Sequence, residues 1–278
     1  MKLKIPNNKT LLCISLASFP GNTGSKLHNS GYKILNLNYI YLPIKCADYN
    51  KALNIIKNLE FKGCSLSMPL KQKLLNNLDE LDIISKKTGS VNTILRKKNK
   101  LYGFNTDYYA LHRLLKEKKL NIKNSKILIL GNGGVARTSY EVVKDLKFKT
   151  VYLSSRNLKK YNGWKLKKTN KLIVWKKRNL TNANILINAT PIGMKNASIE
   201  KIPVSISSVK KFHKIIDFTV NEKKNNLEKK ATKLKIDYTS GYKLSFYQGL
   251  KQFNIYTKKK INEKKLMKII KLQKLIYN

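Results

Sequence analysis

Lys126-Ile127-Leu128-Ile129-Leu130 runs directly into Gly131-Asn132-Gly133-Gly134-Val135-Ala136-Arg137. An apolar run of that length suits a buried strand, and the residues after the glycines keep a helical pattern as far as Leu146. Strand, glycine-rich turn and helix in that order open a dinucleotide-binding βαβ unit. Gly131 permits the tight turn, and Gly133 lets backbone N–H groups approach a pyrophosphate, which the helix N-terminus also favours. Gly134, Val135 and Ala136 complete the candidate cofactor turn. A tight turn in an unrelated α/β sheet can carry the same glycines, so the strands that follow matter.

Residues 150–154 read as the second strand and end in Ser155-Arg156-Asn157. An NAD enzyme commonly has an acid at this point to bind the ribose hydroxyls. Arg156, with Lys159 and Lys160 close by, suits a 2′-phosphate instead. The cofactor expected is therefore NADP, with Ser155, Arg156 and Asn157 at its site. Asn184 to Met194 is a further strand and turn, and Lys214 to Phe218 the strand after it.

Upstream, three short blocks stand between Gly63 and Asp107: Ser67-Met68-Pro69-Leu70-Lys71, Gly89-Ser90-Val91-Asn92-Thr93 and Gly103-Phe104-Asn105-Thr106-Asp107. Gly63 to Met68 reads as a strand entering a turn at Pro69, a residue suited to the first position of a helix. Leu70, Leu74, Leu75, Leu78, Leu81 and Ile84 then fall at helical spacing, which predicts one helix about three turns long. Lys71 sits in its first turn, where the helix dipole slightly disfavours a cation. On its own it would pass as a solvated surface lysine.

These blocks resemble the shikimate dehydrogenase family, whose substrate domain carries V-T-x-P-x-K, V-N-T and N-T-D turns. The resemblance extends over about residues 11 to 257. It implies that Lys71 and Asp107 act as a catalytic pair on the reacting hydroxyl, and that Ser67, Asn92, Thr106 and Gln248 bind substrate. Gln248 lies in Gly241 to Gly249, similar to the family's G-x-x-M-L-x-x-Q-G, and Gln252-Phe253 follows the Q-F continuation. Asn188-Ala189-Thr190-Pro191-Ile192-Gly193-Met194 is nearly I-N-A-T-P-x-G-M, which implies cofactor contacts from Thr190, Gly193, Met194 and, later, Gly241.

The departures cluster. The family's S-x-S-P-x-x-H-N loop holds the substrate carboxylate with two serines, which here are Asn22 and Gly24. Asn22 and Thr23 are the expected replacements, with Ser25 and Lys26 as further donors, and His28-Asn29 is architectural. The family's asparagine before V-T is Ser65, and in D-x-x-Y-x-P the tyrosine is Val220 and the proline Glu222. Matches fall at the reacting and hydroxyl-binding end, losses largely at the carboxylate-reading end. That pattern resembles the shikimate dehydrogenase-like subgroup.

Composition bounds the rest. With 278 residues, 42% of them hydrophobic, the chain can bury a sizeable core. No apolar run is long enough for a membrane span, and no signal peptide is read at the basic start Met1-Lys2-Leu3-Lys4. Three cysteines without CxxC spacing suit reduced thiols and a cytoplasmic location, with no metal cluster. The net charge of +43, from 58 basic and 15 acidic side chains, raises a nucleic-acid partner. The lysines are spread from end to end, however, among many Asn and Ile residues and without a nucleic-acid-binding signature. Compositional drift is the better account.

The expectation is an α/β protein of two domains. A discontinuous substrate domain would span residues 1–107 and 238–278, and a Rossmann-type NADP-binding domain residues 108–237. The function expected is NADP-dependent reduction of 3-dehydroshikimate to shikimate by a monomer or homodimer, with a small-molecule substrate, no specific nucleic acid and no membrane partner. The alternatives are a relative acting on another cyclic hydroxy acid, and a basic binding protein that reuses the fold.

Overall fold

The computed structural model describes residues 5–118, 120–195, 198–221 and 223–276. Met1 to Lys4 and Glu222, which entered the reading above, lie outside the described residues. The chain divides into two compact units, Met1–Tyr109 with Phe246–Asn278, and Ala110–Ser245.

The first unit contains β1 (Leu11–Ala17), α1 (Thr23–Ile34), β2 (Tyr39–Lys45), α2 (Tyr49–Asn58), β3 (Gly63–Leu66), α3 (Leu70–Lys73), β4 (Glu80–Leu81), α4 (Ile83–Thr88), β5 (Thr93–Lys97) and β6 (Lys100–Phe104). The chain passes to the second unit within α5 (Thr106–Glu117). The strand order is β2-β1-β3-β5-β6-β4. β1 pairs parallel with β2 and β3, while β5 runs antiparallel to both β3 and β6. Alternation along β1 feeds two cores: Ile14 and Leu16 pack with Ile56, Leu66 and Leu70, and Cys13 packs with Leu27, Tyr41 and Phe253.

The helix expected from Leu70 to Ile84 is broken. α3 is a single turn, followed by a 3-10 turn at Leu75–Asn77, the short β4 and then α4. Tertiary pairing explains the break. Asp79 N–H donates to the Leu101 carbonyl, Asp82 N–H donates to that of Gly103, and the Asp79 carboxylate accepts from Leu101 N–H at 2.7 Å. Asp82 then caps α4, accepting from Ser85 N–H. The leucines still point inward: Leu70 and Leu74 are fully buried, with Leu75, Leu78 and Leu81 packed on the same core. Pro69 stands at the cap of α3 rather than inside it, after a cis Met68–Pro69 bond.

The second unit contains β7 (Lys126–Leu130), α6 (Gly134–Asp145), β8 (Thr150–Ser155), β9 (Lys171–Val174), β10 (Ile185–Asn188), α7 (Ile206–Val209), β11 (Lys214–Asp217), α8 (Asn226–Lys233) and β12 (Asp237–Thr239). Its strands are all parallel, in the order β12-β11-β10-β7-β8-β9. Ile127 to Leu130 and Ile185 to Ile187 are fully buried, as expected of central strands covered on both faces. The order reverses beside β7, so β8 and β10 flank its C-terminal end on opposite sides. The chain returns to the first unit within α9 (Gly241–Thr257) and ends in α10 (Glu263–Ile276).

Candidate active site

In the first unit, α3 carries Lys71 and the first turn of α5 carries Asp107. Lys71 Nζ donates to Asp107 Oδ2 at 2.5 Å, with the side chains 18% and 13% exposed. The pair is thus mostly shielded, yet open at one side. α3 is held in place by its own backbone, since Val91 N–H donates to the Lys71 carbonyl at 2.8 Å.

Next to Val91 stands Asn92, only 2% exposed. Its Oδ1 accepts from Thr106 N–H (2.8 Å), Thr106 Oγ1 (3.0 Å) and Thr93 Oγ1 (2.9 Å). Those three bonds orient the amide, so that Nδ2 faces Gln248 Oε1 at 3.4 Å. Gln248 Oε1 also accepts from Thr106 Oγ1. Asn92, Thr106 and Gln248 therefore meet, 156 residues apart in sequence at the extreme. Gln252, matched from sequence only to the Q-F continuation and given no site role there, lies one helical turn beyond Gln248. Its Nε2 donates to Thr93 Oγ1 at 2.9 Å and its Oε1 accepts from Ser65 Oγ at 3.2 Å. The i, i+4 repeat of glutamine in α9 was the available signal.

The loop after β1 is different. Asn22 is exposed, at the cap of α1 but without a side-chain capping bond, and Thr23 and Gly24 open that helix. Ser67 is exposed as well, its N–H donating to the Leu16 carbonyl. The two loops approach each other, because Ser18 N–H donates to the Met68 carbonyl. Among the described residues, no side-chain hydrogen bond links Asn22, Thr23 or Ser67 to the Asn92 cluster. Gly24 has a helical backbone rather than a left-handed one. What constrains it is Tyr41, whose hydroxyl would lie 3.0 Å from a Cβ at position 24.

Tyr41 donates to Ser65 Oγ at 2.9 Å, and Ser65 also meets the Tyr256 hydroxyl. The Tyr41 ring stacks on His28 at 4.5 Å. Burial pushes the His28 imidazole down to about 3, against an opposing pull from the Gln252 side chain. Asn29 exchanges two hydrogen bonds with the Tyr41 backbone, which ties α1 to β2.

In the second unit the glycine turn has the features its sequence suggested. Gly131 has φ +109°, and a Cβ there would lie 2.8 Å from the Ala189 carbonyl. Gly133 caps α6 with nothing within 4 Å of where a Cβ would stand, so the N–H groups of the helix start are approachable. Gly134, Val135 and Ala136 form that start, and no acidic side chain occupies it. Asn132 Nδ2 bridges to Ser155 Oγ and the Asn157 carbonyl, both at 3.0 Å, which fixes the loop bearing the exposed Arg156. Asn157 in turn accepts from Lys159 N–H. Tyr161, a residue missed from sequence, donates to the Gly131 carbonyl at 2.8 Å. After β10, Thr190 Oγ1 donates to Asn188 Oδ1, Met194 N–H closes a turn on Pro191, and Gly193 has φ +97°. Gly241 backs onto the Thr219 carbonyl, which a Cβ would approach to 2.2 Å. An open helix start for a pyrophosphate and an exposed guanidinium beside it fit a 2′-phosphorylated dinucleotide.

An all-parallel, doubly wound sheet with this turn at its switch point defines a dinucleotide-binding α/β protein. Comparison with known proteins narrows the class. Residues 23–94 match the family model described as the shikimate dehydrogenase substrate binding domain. A Clostridium perfringens protein named shikimate dehydrogenase (NADP(+)) is 31% identical over 86% of this chain and 89% of its own length. A Haemophilus influenzae shikimate dehydrogenase-like protein is 34% identical over 70% of each. Among solved structures, shikimate dehydrogenase 1 from Peptoclostridium difficile superposes with a TM-score of 0.84 at 26% identity, over 96% of this chain and 98% of that one. The chain belongs to the shikimate dehydrogenase family.

Proposed function

We propose that this chain is an NADP-dependent shikimate dehydrogenase, interconverting 3-dehydroshikimate and shikimate. The observation that carries the reading is the shielded Lys71–Asp107 ion pair beside the Asn92–Thr106–Gln248 cluster. The first unit would take the substrate and the second the cofactor. NADPH, when bound, supplies the hydride to the carbonyl carbon. As negative charge grows on the carbonyl oxygen, the Lys71 ammonium donates a hydrogen bond and then a proton to it. Asp107 holds the ammonium in place, and in the oxidative direction Lys71 takes the proton back. Asn92, Thr106 and Gln248 present amide and hydroxyl groups of both polarities, suited to substrate hydroxyls.

Asn22 and Thr23 would meet the substrate carboxylate, with Ser67 beside them. Gly131, Gly133, Gly134, Val135 and Ala136 would cradle the pyrophosphate, and Ser155, Arg156 and Asn157 the adenosine 2′-phosphate. Thr190, Gly193, Met194 and Gly241 would line the remaining part of NADP. We read the protein as a cytoplasmic monomer or homodimer. No helix among the described residues is long and apolar enough to cross a membrane.

A second reading, oxidation of another cyclic hydroxy acid, is favoured by one observation: an exposed amide and a glycine stand where the family has two carboxylate-binding serines. Rates with 3-dehydroshikimate, shikimate and a panel of cyclic hydroxy acids, each with NADP(H) and NAD(H), decide between the two. Turnover of shikimate above the rest of the panel supports the first reading. No shikimate turnover alongside activity on another member replaces it with the second.

A further inference from the structure

The loop after β10 is held by more than its own turn. On its inner side the fully buried Asn188 is fastened to Asp217, Nδ2 donating to Oδ1 at 3.0 Å. Asp217 is itself fully buried; its other oxygen accepts from Asn225 Nδ2 (3.0 Å) and the Tyr238 hydroxyl (2.8 Å). This is a rigid floor, because each buried polar group has its partner. On the outer side the Asn221 side chain closes the loop, with Asn225 Nδ2 a second, longer donor to the Gly193 carbonyl at 3.4 Å. Asn221 Nδ2 donates to the Gly193 carbonyl at 2.7 Å, while its Oδ1 accepts from Lys195 N–H at 2.9 Å. The two bonds straddle Met194. They fix the peptide plane between Gly193, at φ +97°, and Met194, in a backbone region where glycine has little preference of its own.

We propose that Asn221 is a positioning residue for the cofactor: it clamps the Gly193–Lys195 segment in the form that receives the nicotinamide half of NADP. The inference rests on the reading of this turn as the cofactor loop. The half is assigned by strand order. Arg156 follows β8 and the clamped loop follows β10, on opposite sides of the glycine turn that ends β7. A dinucleotide spanning that turn, with its 2′-phosphate toward Arg156, carries its nicotinamide toward Gly193 and Met194.

The test is equilibrium binding to the full chain of two probes, NADPH and adenosine 2′,5′-bisphosphate, which lacks the nicotinamide half. Asn221→Ala removes two neutral hydrogen bonds and is expected to raise the Kd for NADPH by about 3- to 10-fold. The Kd for the bisphosphate should be unchanged. Asn221→Asp keeps the acceptor for Lys195 N–H but turns an anion on the Gly193 carbonyl, so it should weaken NADPH at least as much. This near-isosteric variant carries the test if the alanine variant does not fold. Equal weakening of both probes marks a general structural role and overturns the proposal, as does unaltered NADPH binding in either folded variant. A wild-type protein that binds neither probe removes the cofactor reading itself, and this inference with it.

Discussion

Two parts of the first unit meet substrate in this reading, and they are built on opposite plans. Around Asn92 the polar groups satisfy one another before any ligand arrives: one carbonyl oxygen takes three hydrogen bonds, and Lys71 already has its carboxylate. At the start of α1, Asn22 is exposed and Thr23 half-buried, and among the described residues neither side chain hydrogen-bonds to that cluster. A group prearranged by its neighbours costs no reorganisation when charge develops, which suits the reacting end. An exposed, loosely held loop reads a carboxylate with whatever donors it has and tolerates their replacement. In this reading the difference accounts for the replacement of the two serines in that loop.

The comparison breaks most readily at Lys71. Lys71→Ala should lower turnover by about 100- to 10,000-fold while leaving the NADPH Kd unchanged, because in the proposed mechanism the lysine acts on the substrate oxygen. Asp107→Ala should be impaired as well. The double variant should be little worse than the Lys71 variant, since residues acting as a unit are not additive. Single-turnover rates with each variant check this, and wild-type turnover in Lys71→Ala would remove the pair from the chemistry.

A second test probes the support beneath the α1 loop. The His28 pKa is pushed down to about 3, well below its unfolded value near 6.5. Between those values the unfolded chain binds a proton that the folded one does not. Stability from this group is therefore complete above pH 6.5 and is lost as pH falls toward 3, by about 1.4 kcal/mol per pH unit. Denaturant midpoints from pH 7 to 4 should show that slope, and His28→Phe should lack it. Parallel pH profiles in the two proteins would mean that His28 is not held neutral against Tyr41.

At the proposed cofactor site, Arg156 is another exposed group. Arg156→Ala should weaken NADPH by about 1.5–3 kcal/mol and leave NADH nearly untouched. Equal kinetics of the unmutated protein with both cofactors would contradict the assignment.

The smallest effect is expected at the altered loop, and it sharpens the contrast. Asn22→Ser with Gly24→Ser should lower KM for shikimate about 2- to 10-fold and leave kcat alone, because binding rather than chemistry is repaired. The backbone at Gly24 accepts serine; the Tyr41 hydroxyl, 3.0 Å from the new Cβ, must shift by a few tenths of an ångström. A folded double variant with unchanged KM would mean that this loop does not read the carboxylate.

Local sequence by itself determined the elements whose cause is local. Four apolar residues before Gly131, Ile127 to Leu130, specified a central parallel strand, and Gly131 specified the turn, since a φ of +109° and a carbonyl at 2.8 Å exclude any side chain there. Periodicity also determined which leucines between Leu70 and Leu81 face inward. It did not determine their backbone: the partners that replaced a helix are Leu101 and Gly103 on β6, a strand that periodicity did not mark. The β5–β6 hairpin escaped notice because its turn uses Lys98, at φ +53°, and Asn99 instead of an Asn-Gly pair. Only the tertiary structure decided the polar partnerships. Ser65 meets Gln252 across 187 residues, and Asn221 clamps Gly193 across 28. Hydrogen bonds between distant side chains leave no period in a sequence, because their geometry exists only once the sheets and helices have packed.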